Sequence, residues 1–209
     1  MNNDLIDDLA YVKTLAEEGR DTPLVGGFMY VLWGSLFSIA AFIVYAHDLG
    51  WLGSAPSLGF APWIAAFVIG WGASMFVGRR NGAKPGASTL GNKTANATWF
   101  AVGIFMTTFW FSLFFVHDNF THMGVPPYFL FNLMFPIAFG IYAIAFFATA
   151  TASRSGWLRW IGLAAILFSC LTLALMGSMH QILAGAIGTL ICAVFPGVIL
   201  MRQEPNQIV

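Results

Sequence analysis

The sequence predicts an all-α polytopic membrane protein. It would have six transmembrane helices in three consecutive hairpins, preceded by a short acidic amphipathic helix. Three observations carry this reading. Of 209 residues, 58% are hydrophobic and only 9% charged, with a mean hydropathy of +0.77, whereas a soluble domain carries about a quarter charged residues. Apolar runs close to the roughly 20 residues that a spanning helix needs occur six times. The connections between those runs sort the cations to one side. High hydrophobicity excludes disorder. Nine Lys/Arg balanced by nine Asp/Glu supply no basic field for nucleic acid. A transmembrane β-barrel would alternate apolar and polar residues along each strand, and these runs are apolar on all sides.

The chain divides into a cytosolic helix (1–22), a transmembrane domain (23–202) and a short cytosolic tail (203–209). In the first segment Leu5, Leu9, Val12 and Ala16 follow a 4-3-4 spacing and define one apolar stripe. Asp4, Asp7 and Asp8 sit where the helix dipole favours anions, and Gly19 suits a C-terminal stop. An acidic helix is repelled by an anionic bilayer, so its stripe is expected to pack under its own bundle or dock on a cytosolic protein partner. The segment is also unlike a secretory signal, which is basic and then apolar.

The six spans are read at 24–46, 60–78, 94–116, 128–149, 157–176 and 179–201. Lys13, Arg20, Arg79, Arg80, Lys84, Lys93, Arg154, Arg159 and Arg202 then all fall on one side. By the positive-inside rule that side is the cytoplasm, with both termini in it. The compact loops suggest a bacterial inner membrane. Trp51, Trp63, Trp99, Trp157 and Trp160 suit an interfacial aromatic belt. The longest inner connection, 79–93, is rich in Gly, Asn and Lys and reads as a mobile loop. Residues Tyr45–Asp48 and Phe115–Asp118, with His180 at the last turn, form a faint echo between the three hairpins.

Within the spans, Ala66, Gly70, Ser74 and Gly78 recur every four residues, a spacing that lets another helix approach closely. The face serves either packing within the bundle or a homo-oligomer. Pro136 and Pro196 each remove a helical hydrogen bond and free the carbonyl four residues back. The carbonyl freed by Pro136 is that of Asn132, and these two residues are candidates for a polar pocket.

Candidate chemistry lies on the outer side. All four histidines, His47, His117, His122 and His180, fall there with Asp48, Asp118 and Met179. Imidazole with carboxylate suits zinc, and imidazole with thioether suits copper. Asp118 and His122 would share a face if their helix continued past the membrane edge, but a complete site needs residues from several hairpins. The same residues could simply cap helix ends, ligate haem or sense protons. No cofactor is firmly implied, and no nucleophile, metal-protease or phosphate-loop motif occurs. The interior carries no Asp, Glu or Lys, which argues against a proton-driven pump. The leading expectation is therefore a non-catalytic accessory or sensory membrane protein whose main partner is the lipid bilayer. The alternatives are a channel or carrier for a small neutral or apolar solute, and an outer-face metal or redox site.

Overall fold

In hydrocarbon every backbone N–H and C=O must find a partner within the protein, and a helix meets that demand locally. The computed structural model describes residues 23–53, 55–126 and 129–204, without the His117 side chain, and every regular element in it is helical. The predicted acidic helix at 1–22 lies outside the described residues, as do positions 205–209. The elements are α1 (Gly27–Asp48), a 3-10 turn (Pro56–Gly59), α2 (Ala61–Gly82), α3 (Leu90–His122), a second 3-10 turn (Phe129–Leu133), α4 (Met134–Ala152), α5 (Leu158–Ala174), α6 (His180–Thr189) and α7 (Phe195–Gln203). A π-helical turn, Leu190–Val194, joins α6 to α7. It lies just before Pro196, which has no N–H to give to Cys192, and the Phe195 N–H reaches back five residues to the Leu190 carbonyl instead.

Five stretches are long and apolar enough to cross a membrane: Gly27–Asp48, Ala61–Gly82, Leu90–Val116, Phe129–Ala152 and His180–Gln203. The fifth predicted span is the exception. Its helix, Leu158–Ala174, has 17 residues and is about 26 Å long at 1.5 Å per residue. At the other extreme α3 has 33 residues, about 50 Å, and outruns a hydrocarbon core of about 30 Å. The exterior suits lipid, since large apolar side chains such as Phe76, Phe115, Ile144 and Leu167 point outward.

The helices pack in an open ring. α1 touches α2 on one side and the α6–α7 rod on the other; α6 leads to α5, α5 to α4, and α4 to α3. α2 and α3, consecutive in sequence, hardly meet along their backbones. Close approach elsewhere depends on small residues. A Cβ on Gly27 would come within 2.5 Å of the Met201 nitrogen and 2.7 Å of the Gly197 carbonyl, so α1 and α7 touch backbone to backbone. The small-residue face of α2 is also used inside the chain. A Cβ on Gly70 would strike the Trp33 ring at 2.5 Å, and Ser74 Oγ accepts the Trp33 indole N–H at 3.1 Å. This face packs on α1, and Ala66 is buried with it, so that part of the stripe is not open to a second copy.

The cation-rich end of the bundle is bound together by side chains far apart in sequence. Asn92, buried in the first turn of α3, accepts from the Val25 N–H (2.8 Å) and donates to the Pro23 and Gly86 carbonyls (3.0 Å each). Glu204 accepts from the N–H groups of Gly26 (2.8 Å) and Gly27 (2.7 Å) at the start of α1 and pairs with Lys84. A carboxylate there also meets the positive end of the α1 dipole. Two expectations change. The loop at 79–93 shortens to residues 83–89 because α2 and α3 both extend into it, and these contacts fasten it. The tail read as beginning at 203 contributes Gln203 to α7 and the buried Glu204 to the bundle.

Candidate functional site

The gap between α2 and α3 is the mouth of a cavity of about 550 Å³, within the range usual for small-molecule sites. Helical spacing builds its walls. On α1, Tyr30, Trp33 and Phe37 succeed one another at three- and four-residue steps along one face; on α2, Phe67, Trp71, Ser74 and Gly78 do the same; α3 adds Trp99, Gly103 and Thr107, and α4 adds Tyr142.

The rings are fixed by each other. Trp33 stacks on Phe37 at 5.7 Å and meets Trp71 edge-on at 5.8 Å. Tyr30 meets Trp99 at 4.7 Å, and Trp99 in turn contacts Phe146 at 4.9 Å and Tyr142 at 5.4 Å. All three indole N–H groups are taken by hydroxyls: Trp33 by Ser74 (3.1 Å), Trp71 by Thr107 (3.2 Å) and Trp99 by Thr149 (3.1 Å). Thr107 passes its own proton to the Gly103 carbonyl at 2.7 Å. The walls therefore offer ring faces and few open polar groups. Among the described residues no charged side chain lines the cavity, and its polar residues at the cation-rich end include Asn81 and Asn96.

The Trp71–Thr107 bond crosses from α2 to α3 and closes the cavity toward the histidine end. Beyond it Phe60 packs on Trp110 (5.4 Å) and Phe114 (4.6 Å), and Phe67 on Trp110 (5.1 Å). Toward the cation-rich end Gly78, Gly82, Ala97 and Phe100 line the cavity while remaining exposed. Such a chamber can bind and orient a neutral, largely apolar molecule. Among the described residues its lining includes no Asp, Glu, His, Lys or Arg to drive proton transfer.

The residues singled out in the sequence lie elsewhere. His47 and Asp48 adjoin at the end of α1, with Nδ1 and Oδ1 3.4 Å apart. His180, at the start of α6, has its ring 6.4 Å from that of Tyr45 on α1, so α1 and α6 bring two histidine-bearing ends together. Met179 precedes His180 and is exposed. Asp118 and His122 do share the last turns of α3, as the longer helix requires, and the His117 side chain is not described. Among the described residues no three His, Cys, Asp or Glu side chains gather in a group suited to a metal ion.

Asn132 and Pro136 do not line the cavity. The carbonyl that Pro136 frees at Asn132 is answered by Gln181 Nε2 at 2.7 Å, and the same nitrogen donates to the Thr172 carbonyl at 2.9 Å. The Pro136 carbonyl accepts from Ser169 Oγ at 2.7 Å.

Sequence reasoning missed the cavity and misplaced one of its walls. Trp99, expected in the interfacial belt, faces inward, because the Thr149 hydroxyl supplies the partner that an indole otherwise seeks at the headgroups. The available signal was the three- and four-residue step of aromatic side chains along one face of the first two spans, Tyr30, Trp33 and Phe37, then Trp63, Phe67 and Trp71. No protein-family model matches the chain, and no curated protein or solved structure was found to be similar to it.

Proposed function

We propose that this chain is a non-catalytic integral membrane protein that holds a small neutral or apolar molecule in the cavity between α1, α2, α3 and α4. In this reading it has six spans in three hairpins and both termini in the cytoplasm of a bacterial cell. α5 is the fifth of these spans, with local thinning of the bilayer making up its shortness. The observation that carries the reading is the uncharged, ring-lined cavity of about 550 Å³. A cation would also favour ring faces, but among the described residues no carboxylate lines the chamber to balance it. Glu204, the one acid at that end among the described residues, is engaged by Lys84 and the start of α1.

Binding of a neutral naphthylamine dye to the detergent-purified full-length protein tests this. Energy transfer from tryptophan to the dye is expected to saturate, and Gly103→Leu is expected to suppress it. A Cβ at Gly103 would lie 3.9 Å from the Trp71 ring, which is ordinary contact, so the rest of a leucine side chain fills the chamber rather than the backbone. Transfer that never saturates, or that is the same in the variant, rejects the reading.

A further inference from the structure

The shape of the cavity and the charges at its rim narrow the class of occupant; the argument rests on the binding role proposed above. Toward the histidine end, the gap between α2 and α3 is bridged by Trp71 and Thr107. Toward the cation-rich end, the lining residues Gly78, Gly82, Ala97 and Phe100 are exposed on the flanks of the gap. The chamber therefore opens sideways between two apolar helices, where lipid lies.

Its depth matches one leaflet. The lining runs along α3 from Ala95 to Thr107 and along α2 from Phe67 to Gly82, about 18 Å and about 22 Å at 1.5 Å per residue. One leaflet's share is about 15 Å of a hydrocarbon core of about 30 Å, and about 20–22 Å with its headgroup region. Ring faces line the deep part, and the carboxamides of Asn81 and Asn96 lie at the level where a headgroup would begin.

Charge completes the pattern. Lys93 is exposed and stands one turn before Asn96 and Ala97 on the face of α3 that continues through Phe100 and Gly103 into the chamber. Arg79 and Arg80, also exposed, end α2 on the other side of the gap. Among the described residues the sole acid at this end is Glu204, which already pairs with Lys84. We infer that the slot takes one acyl chain of an anionic phospholipid from the leaflet at the cation-rich end, with the headgroup phosphate held by Lys93 beside the Asn96 carboxamide.

Quenching of tryptophan emission by chain-brominated lipid tests this on the full-length protein in phosphatidylcholine vesicles. A minority of either brominated phosphatidylglycerol or brominated phosphatidylcholine is included. Bromine in the slot would contact Trp33, Trp71 and Trp99. Brominated phosphatidylglycerol is expected to reach half-maximal quenching at about a fivefold lower mole fraction, the effect of one cation near an anionic headgroup. Lys93→Gln should remove that preference. Gly103→Leu should remove the cavity component for both lipids, and Gly78→Leu provides the same plug from α2 should the first variant misfold.

Equal quenching by the two lipids, still sensitive to the plug, overturns the headgroup assignment and leaves the cavity reading intact. Quenching indifferent to both plugs, with saturable dye binding retained, overturns lipid occupancy alone. Loss of dye binding as well overturns both.

Discussion

Gln181 shows how much one buried side chain can hold together in a chain so poor in polar groups. Pro136 leaves the Asn132 carbonyl without its helical partner, and the Thr172 carbonyl lies in the last turn of α5, where helical donors run out. A single amide nitrogen answers both, at 2.7 and 2.9 Å, and so fastens α6 to the starts and ends of its neighbours. Gln181→Leu leaves one buried and one half-buried acceptor without this donor. Each such loss costs about 1–3 kcal/mol in protein interiors, and interhelical bonds in membranes average about 0.6 kcal/mol. The expected destabilisation is therefore about 1–3 kcal/mol, read from reversible unfolding in mixed micelles. Pro136→Ala supplies the missing N–H to the Asn132 carbonyl, so the double variant should lose less than the sum of the two single changes. Strict additivity in that cycle would show that the Gln181 bond to Asn132 carries no stability.

At the scale of the helices, the start of α1 is held by the far end of the chain. Two N–H groups that no preceding turn can satisfy are accepted by Glu204, which also binds Lys84 in the connection between α2 and α3. Glu204→Gln keeps the acceptor oxygen and loses the ion pair; Glu204→Ala loses both. The alanine variant should therefore melt lowest, the glutamine variant in between, and protease should cut the 83–89 connection faster in the same order. If the alanine and glutamine variants behave alike, the capping bonds are not what matters. Glu204 also marks where local reading ends. Five of the six apolar runs became long helices because spanning length and composition are properties of a single stretch of chain. The proline effect was legible for the same reason, since the freed carbonyl is always four residues back. Glu204, Asn92 and Gln181 were not legible, because most of their partners lie 9 to 178 positions away and nothing in the local pattern names them. The cavity was hidden more deeply. It arises from a contact that is missing, between two consecutive helices that composition alone would pair.

For the whole molecule, the decisive question is which way it faces, since the proposed lipid leaflet and the histidine end exchange places if the orientation reverses. The contacts place Arg79, Arg80, Lys84, Lys93 and Arg202 at the end that holds Glu204, and His47 and His180 at the other. The cation bias argues that the first end is cytoplasmic. Three exposed positions test it without touching the fastened cluster: Leu52 and Met123 at the histidine end and Ser88 between α2 and α3. Each is changed singly to cysteine in a background where Cys170 is serine and Cys192 is alanine, and intact bacterial cells are treated with a membrane-impermeant maleimide. Leu52→Cys and Met123→Cys should label at once, and Ser88→Cys only after the membrane is opened. The reverse pattern inverts the protein and moves the lipid slot to the outer leaflet. Labelling of Leu52→Cys and Ser88→Cys together, from outside, would mean that α2 does not cross and would remove one wall of the cavity from the membrane. The short helix α5 is tested by extending the same comparison to Ser155→Cys and Ser178→Cys, which flank it. If the 17-residue helix spans, the first is protected and the second labelled. If both respond alike, α5 rests within one leaflet and the protein has five crossings, with its ends on opposite sides.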